Sequence, residues 1–182
     1  ALNEGELQPS RAYADLIRRC YRNNQQTLSA SDIAFLTFNY DISLDHALFY
    51  HGIPIDYALA NEQPKAIPLL KLHGSLNWAA CSTRRVFPVD LSNIIERRIR
   101  IAQEAGTSPR YLLRATHHLR HDTLCPENGH VVGPAIVPPS WNKTQYHDTF
   151  QSIWRRAAEE LGSARRIVII GYAAIGTDVF FK

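Results

Sequence analysis

Four short segments in a fixed order constrain this chain more than anything else in it. They are Phe35-Leu36-Thr37-Phe38-Asn39-Tyr40-Asp41, Lys71-Leu72-His73-Gly74-Ser75-Leu76-Asn77-Trp78, Ile136-Val137-Pro138-Pro139 and Val168-Ile169-Ile170-Gly171-Tyr172. Each lies at or near the end of an apolar, β-prone run. Each then places polar or backbone-exposing residues just past that end. In an open α/β sheet, ligands bind beyond the carboxyl ends of the strands. A row of strand ends carrying Asn, Asp, His and Gly therefore reads as a nucleotide site.

The stretches between these segments support that architecture. Tyr13, Leu16, Ile17 and Cys20 share one helical face. Residues 33–38 read as a buried strand, followed by a polar turn and a helix whose apolar stripe is Leu44, Ala47 and Leu48. Asp41 or Ser43 is placed to cap that helix at its start, and Gly52 at its end. Residues 66–72 read as a second strand ending in His73-Gly74, and 135–137 as a return to strand stopped by Pro138-Pro139. Phe150, Ile153, Trp154, Ala157 and Leu161 form a further helical stripe, and 167–170 read as a buried strand ended by Gly171. Strands alternating with helices predict a Rossmann-like, doubly wound parallel α/β sheet.

Residues 79–134 differ in character. They are richer in charge, hold His117, His118, His121 and His130, and contain one helical stretch at 91–105. They read as a small module inserted into a single domain that spans the whole chain. Eight arginines fall between Arg84 and Arg120 against Asp90, Glu96 and Glu104, which is where an anion such as nucleic acid would bind. A solvated arginine-rich surface is the plainer reading of such a run.

Composition excludes other classes. The 182 residues are 45% hydrophobic and 20% charged, with a net charge of +3, as in ordinary globular domains. No apolar run approaches the length of a membrane span. No secretory leader opens the chain, and no methionine occurs in it, so the native start is expected to lie elsewhere. Three widely spaced cysteines do not predict a disulfide framework and favour a reducing, cytoplasmic setting.

Thr37-Phe38-Asn39-Tyr40-Asp41 followed by Leu72-His73-Gly74-Ser75 resembles the sirtuin-like superfamily of NAD-consuming proteins, and most of all its bacterial branch. The resemblance runs from about Ile33 to Asp178. It implies that Asn39 holds the nicotinamide ribose and positions a water. It implies that Asp41 faces the carboxamide and that His73 is a general base toward a ribose hydroxyl. Thr37, Gly74, Gly171, Tyr172 and Asp178 would complete the contacts to NAD. The residue types suit that chemistry on their own. Breaking an N-glycosidic bond builds positive charge on the sugar, which a nearby carboxylate or amide oxygen stabilises. Histidine titrates near neutrality and suits proton transfer. Glycine at a strand end lets a phosphate reach backbone N–H groups.

Plainer readings stand beside each of these. Asn39-Tyr40-Asp41 also reads as a capped turn. A histidine after a strand is often structural, Pro138-Pro139 stop an edge strand, and Gly171 permits a tight turn.

The chain also departs from the superfamily. No Gly-rich phosphate loop precedes Asp32, Ala173 stands where the superfamily often has serine, and residues 136–141 do not resemble the Phe-Gly-Glu strand of the deacylases. A four-cysteine zinc module is not predicted, since the insertion holds only Cys81 and Cys125. His130, five residues after Cys125, with one of His117, His118 or His121 could complete a set.

The resulting expectation is a cytoplasmic NAD glycohydrolase acting in anti-phage defence, without a metal, working as a homo-oligomer or beside effector domains. The alternatives are an NAD-dependent protein deacylase and a non-catalytic NAD- or ADP-ribose-binding module.

Overall fold

A computed structural model describes residues 8–22, 33–59, 65–83, 85–106, 123–137 and 147–171. Helix α1 (Arg11–Arg22) precedes strand β1 (Phe35–Thr37) and helix α2 (Ser43–Tyr50). Strands β2 (Ile55–Asp56), β3 (Ile67–Lys71), β4 (Gly74–Ala80) and β5 (Val86–Pro88) follow. Helix α3 (Leu91–Ala105), strand β6 (Gly133–Ile136) and helix α4 (His147–Ser163) complete the elements. Helix α3 covers the stretch its sequence pattern predicts. Among the described residues, no helix is long and apolar enough to cross a membrane.

The strands form two sheets. The first is parallel, ordered β1-β3-β2, with Thr37 paired to Lys71 and Ile55 to Ile67. Its middle strand, Ile-Pro-Leu-Leu-Lys, is buried at every position. A strand covered on both faces reads as a continuous apolar run rather than an alternating one. Lys71 breaks that run at its last residue.

The second sheet is antiparallel, ordered β5-β4-β6. The single doubly wound sheet expected from sequence is thus seen only in part, as a mixed α/β fold with a parallel three-stranded sheet and a separate antiparallel one. Residues 135–137 do not return to the parallel sheet. Residues 133–136 form β6, which runs against β4, with Gly74 opposite Ile136. The amide of Val137 continues the contact by donating to the His73 carbonyl at 2.9 Å. The 3.6-residue and 2-residue patterns identify elements but do not set strand direction, so the antiparallel sheet was not foreseen.

The expected buried strand at 167–170 is not seen. Residues 167–170 carry no strand pairing among the described residues, and Ile167, Val168, Ile169 and Ile170 are 58–73% exposed. An apolar run becomes a strand only when a neighbour completes its ladder, and no described strand does so here.

A local signal fixes the end of α2 but not its start. The N-cap is Ile42, with no side-chain cap bond, so neither Asp41 nor Ser43 caps the helix as expected; Asp41 Oδ1 instead accepts the Ser43 amide at 2.8 Å ahead of the first turn. At the other end Gly52 has φ +67, its amide donates to the Phe49 carbonyl at 2.9 Å, and the Ile53 amide reaches the Leu48 carbonyl at 3.0 Å. That pair of bonds is the Schellman pattern, which favours glycine at this position.

The main core gathers on β3. Ile17 of α1, Leu48 of α2 and Ile153 of α4 pack around Leu69, Leu70 and Trp78. Trp78 stacks on Phe150 with centroids 6.2 Å apart and meets Tyr57 edge-on at 5.3 Å. A smaller cluster of Ile42, Leu76, Leu91, Ile94 and Ile95 seats α3 beside the antiparallel sheet.

The cysteines correct another expectation. Cys81, just past β4, and Cys125 are disulfide-bonded, with Cα atoms 5.7 Å apart. Their separation of 44 residues hid the pairing in the sequence. Cys81 lies just past β4, and Cys125 follows Leu124, which bridges Val131 two residues before β6, the strand that pairs with β4. Around the bond, Glu127 accepts from Arg85 at 2.7 Å and from Thr83 at 2.9 Å. Those two bonds hold the Glu127 carboxyl below its usual range, the Arg85 bond most of all. Cysteine usage therefore no longer argues for a reducing compartment.

Candidate functional site

The site is built where β1 and β3 end side by side. Thr37 and Lys71 are the last paired residues of the two parallel strands. Past them the Leu72 amide donates to the Thr37 carbonyl at 3.0 Å, which carries the pairing one step further. Asn39 and His73 therefore lie the same two residues beyond adjacent strand ends. The rings of Phe38 and His73 come within 5.3 Å, tilted by 59°. His73 is half-buried and Asn39 is exposed.

The other predicted residues have defined places. Thr37 Oγ1 accepts the Asn39 amide at 3.0 Å, so Thr37 shapes the turn that carries Asn39. Asp41 is half-buried, with one carboxylate oxygen committed to the Ser43 amide. Gly74 has φ +80, and a Cβ there would collide with the Ala135 carbonyl. Its glycine is explained by the close approach of β6 rather than by a ligand. Gly171 has φ +67, is exposed, and follows the run 167–170, which pairs with no strand among the described residues. Tyr172, Asp178, Pro138 and Pro139 lie outside the described residues, as do His117, His118 and His121.

Beneath the turn is a buried polar network that the sequence reading missed. Lys71 and Asp45 form an ion pair at 2.8 Å, with side chains 1% and 0% exposed. Tyr57 donates to the second Asp45 oxygen at 2.6 Å, and Asn77 Nδ2 lies 3.4 Å from the Tyr57 hydroxyl. Ser75 donates to Asn77 Oδ1 at 2.6 Å. Burial, then the Asp45 charge and its hydrogen bond, push the Tyr57 phenol well above its usual value. Charges this deep are tolerated only when paired and hydrogen-bonded.

The network reaches the site through the backbone. Lys71 Nζ also donates to the Asp41 carbonyl at 2.5 Å. The Leu76 amide donates to the Tyr40 carbonyl at 2.8 Å, and the Ser75 hydroxyl lies 3.4 Å from the same oxygen. The signals in the sequence were a lysine closing an apolar strand and an aspartate adjoining the apolar stripe of α2. Neither carries a motif, and only the fold brings them together.

For metals, the described residues bring Cys81, Cys125 and Glu127 close enough to share an ion. The two sulfurs are bonded to each other and Glu127 is held by Arg85 and Thr83, so this donor set does not fit a cation. No protein-family model matches the chain, and no curated protein matches it significantly.

Proposed function

We propose that this protein consumes NAD, hydrolysing it to ADP-ribose and nicotinamide at the carboxyl ends of β1 and β3. One observation carries the reading: an exposed Asn39 and a half-buried His73 follow two adjacent parallel strand ends that the Thr37–Leu72 hydrogen bond holds in step. Ligands of open α/β sheets bind at such an edge.

In this reading the Asn39 amide holds the nicotinamide ribose and orients a water. That water adds to the anomeric carbon as the N-glycosidic bond breaks, and nicotinamide leaves with the bonding electrons. His73 takes a proton from a ribose hydroxyl, the proton that the adding water gives up restores that hydroxyl, and the imidazole passes its proton to solvent. Asp41 keeps one carboxylate oxygen free of the bond to Ser43, available to face the carboxamide. The reaction joins the protein to the NAD pool of the cytoplasm, and depletion of that pool is the defence output that the sequence resemblance implies. In that compartment the Cys81–Cys125 pair would face reductants.

Nicotinamide release by the full-length protein, compared with His73→Ala and Asn39→Ala, tests the reading. A second reading, a non-catalytic module that binds NAD or ADP-ribose, is favoured by one observation. Gly171 does not follow a strand of the parallel sheet among the described residues, which leaves the phosphate side of the site unassigned. Binding of ADP-ribose without nicotinamide release separates the two.

A further inference from the structure

We propose that Lys71 is a positioning residue, whose buried ammonium fixes the turn at residues 39–41 that presents Asn39. The activity arm of this inference rests on the reading above, whereas its structural arm does not.

From Asn39 to Ser43, several backbone polar groups of the turn have fixed partners. The Asn39 amide is held by Thr37 Oγ1, the Tyr40 carbonyl by the Leu76 amide, and the Ser43 amide by Asp41 Oδ1. The Asp41 carbonyl is the one group of this set held by an ammonium, that of Lys71 at 2.5 Å. Asp45 anchors that side chain from the far side at 2.8 Å, and Tyr57 in turn anchors Asp45 at 2.6 Å.

Packing alone would be served by an apolar residue of the same length, and a buried ion pair is often no more stable than such a replacement. The ammonium differs from that replacement in what it does for the turn. It offers several donors from one point, and it spends them on the Asp45 carboxylate and on the backbone next to Asn39. A site works only when its reacting side chains are held close to productive geometry by such supporting contacts.

The test is the paired variant Lys71→Met with Asp45→Asn in the full-length protein. It removes both charges together and leaves Tyr57 an acceptor. Two readouts are needed: hydrogen exchange of the amides at 39–43 against those of Ile67, Leu69 and Leu70 in β3, and kcat separated from KM for nicotinamide release. The expected result is exchange at least ten times faster at 39–43, with the β3 amides within threefold of wild type. A kcat at least ten times lower at a KM within threefold is expected alongside.

A folded variant whose turn exchange is unchanged overturns the inference whatever its activity. Faster turn exchange in a protein that never released nicotinamide supports the inference and sinks the proposed function instead. Lysine-selective 15N NMR of the unsubstituted protein reads the same contact without any variant. Slowly exchanging Lys71 ammonium protons near residues 41 and 42 support it, and freely exchanging ones overturn it.

Discussion

The rings of Phe38 and His73 lie 5.3 Å apart at a 59° tilt, one following β1 and the other following β3. Phe38 is thus a wall against which the imidazole rests, on the side of the adjacent strand end. Phe38→Ala removes that wall without touching a hydrogen bond that orders the turn. Misplacing a reacting group by a fraction of its working distance is costly, so nicotinamide release is expected to fall by about 10-fold or more. Steady-state kinetics of the variant, with circular dichroism as the folding control, check this. Full activity would detach the His73 ring orientation from the reaction.

Tyr57 gives the fold an alkaline limit. Burial and the neighbouring Asp45 disfavour the phenolate, so the folded state keeps the proton above the ordinary phenol value of 10.0 while the unfolded chain gives it up there. Above that value the folded state binds more protons, and stability falls as the pH rises. Below it this contribution is fully present. Urea unfolding at several pH values from 9 to 11 should show a falling midpoint in the natural protein and a flatter one in Tyr57→Phe. An equal slope in both would remove Tyr57 as its source.

Gly74→Ala tests how tightly β6 seals against β4. The added methyl meets the Ala135 carbonyl, at a backbone φ of +80 that L-residues rarely adopt. Overpacking and backbone strain together are expected to cost about 2–5 kcal/mol. Denaturant titration measures it. A loss below about 0.5 kcal/mol, within the range of neutral surface changes, would contradict the described β4–β6 contact.

Much of the fold was legible in the sequence, and the reason lies in particular residues. Leu44, Ala47 and Leu48 with Gly52 define α2 through spacing and a glycine-specific cap. The first two strands were read to within a residue or two of their observed bounds, 33–38 against Phe35–Thr37 and 66–72 against Ile67–Lys71, because their apolar runs give way to Asn39 and His73. Strand direction was not legible, so the antiparallel pairing of β6 with β4 was not foreseen. Pairing between distant residues was not legible either. Cys81 with Cys125, and Lys71 with Asp45, meet only after the chain has folded. Of the candidate site, the turn and the histidine were read from local pattern. The network that supports them was hidden, because each member by itself is an ordinary polar residue.

The cysteine pairing has a direct consequence. With Cys81 and Cys125 joined, Cys20 is the free cysteine, and burial raises its thiol above the usual value, which slows its reaction. Thiol titration of the unfolded, unreduced protein should find one reactive sulfur. Cross-linking residues 44 apart is worth about 3–4 kcal/mol by loop-closure entropy, so a reductant should lower the unfolding midpoint. Three reactive thiols before reduction would show the pair open.

Asn39 and His73 are proposed to act together on NAD, and nicotinamide release measures that most directly. The full-length protein should release nicotinamide. His73→Ala should lower the rate by about 10²–10⁴-fold, as for loss of a general base, and Asn39→Ala by at least as much, with both proteins folded. A folded His73→Ala protein within a few-fold of the natural rate would contradict the account, as would a full-length protein that binds ADP-ribose and releases no nicotinamide.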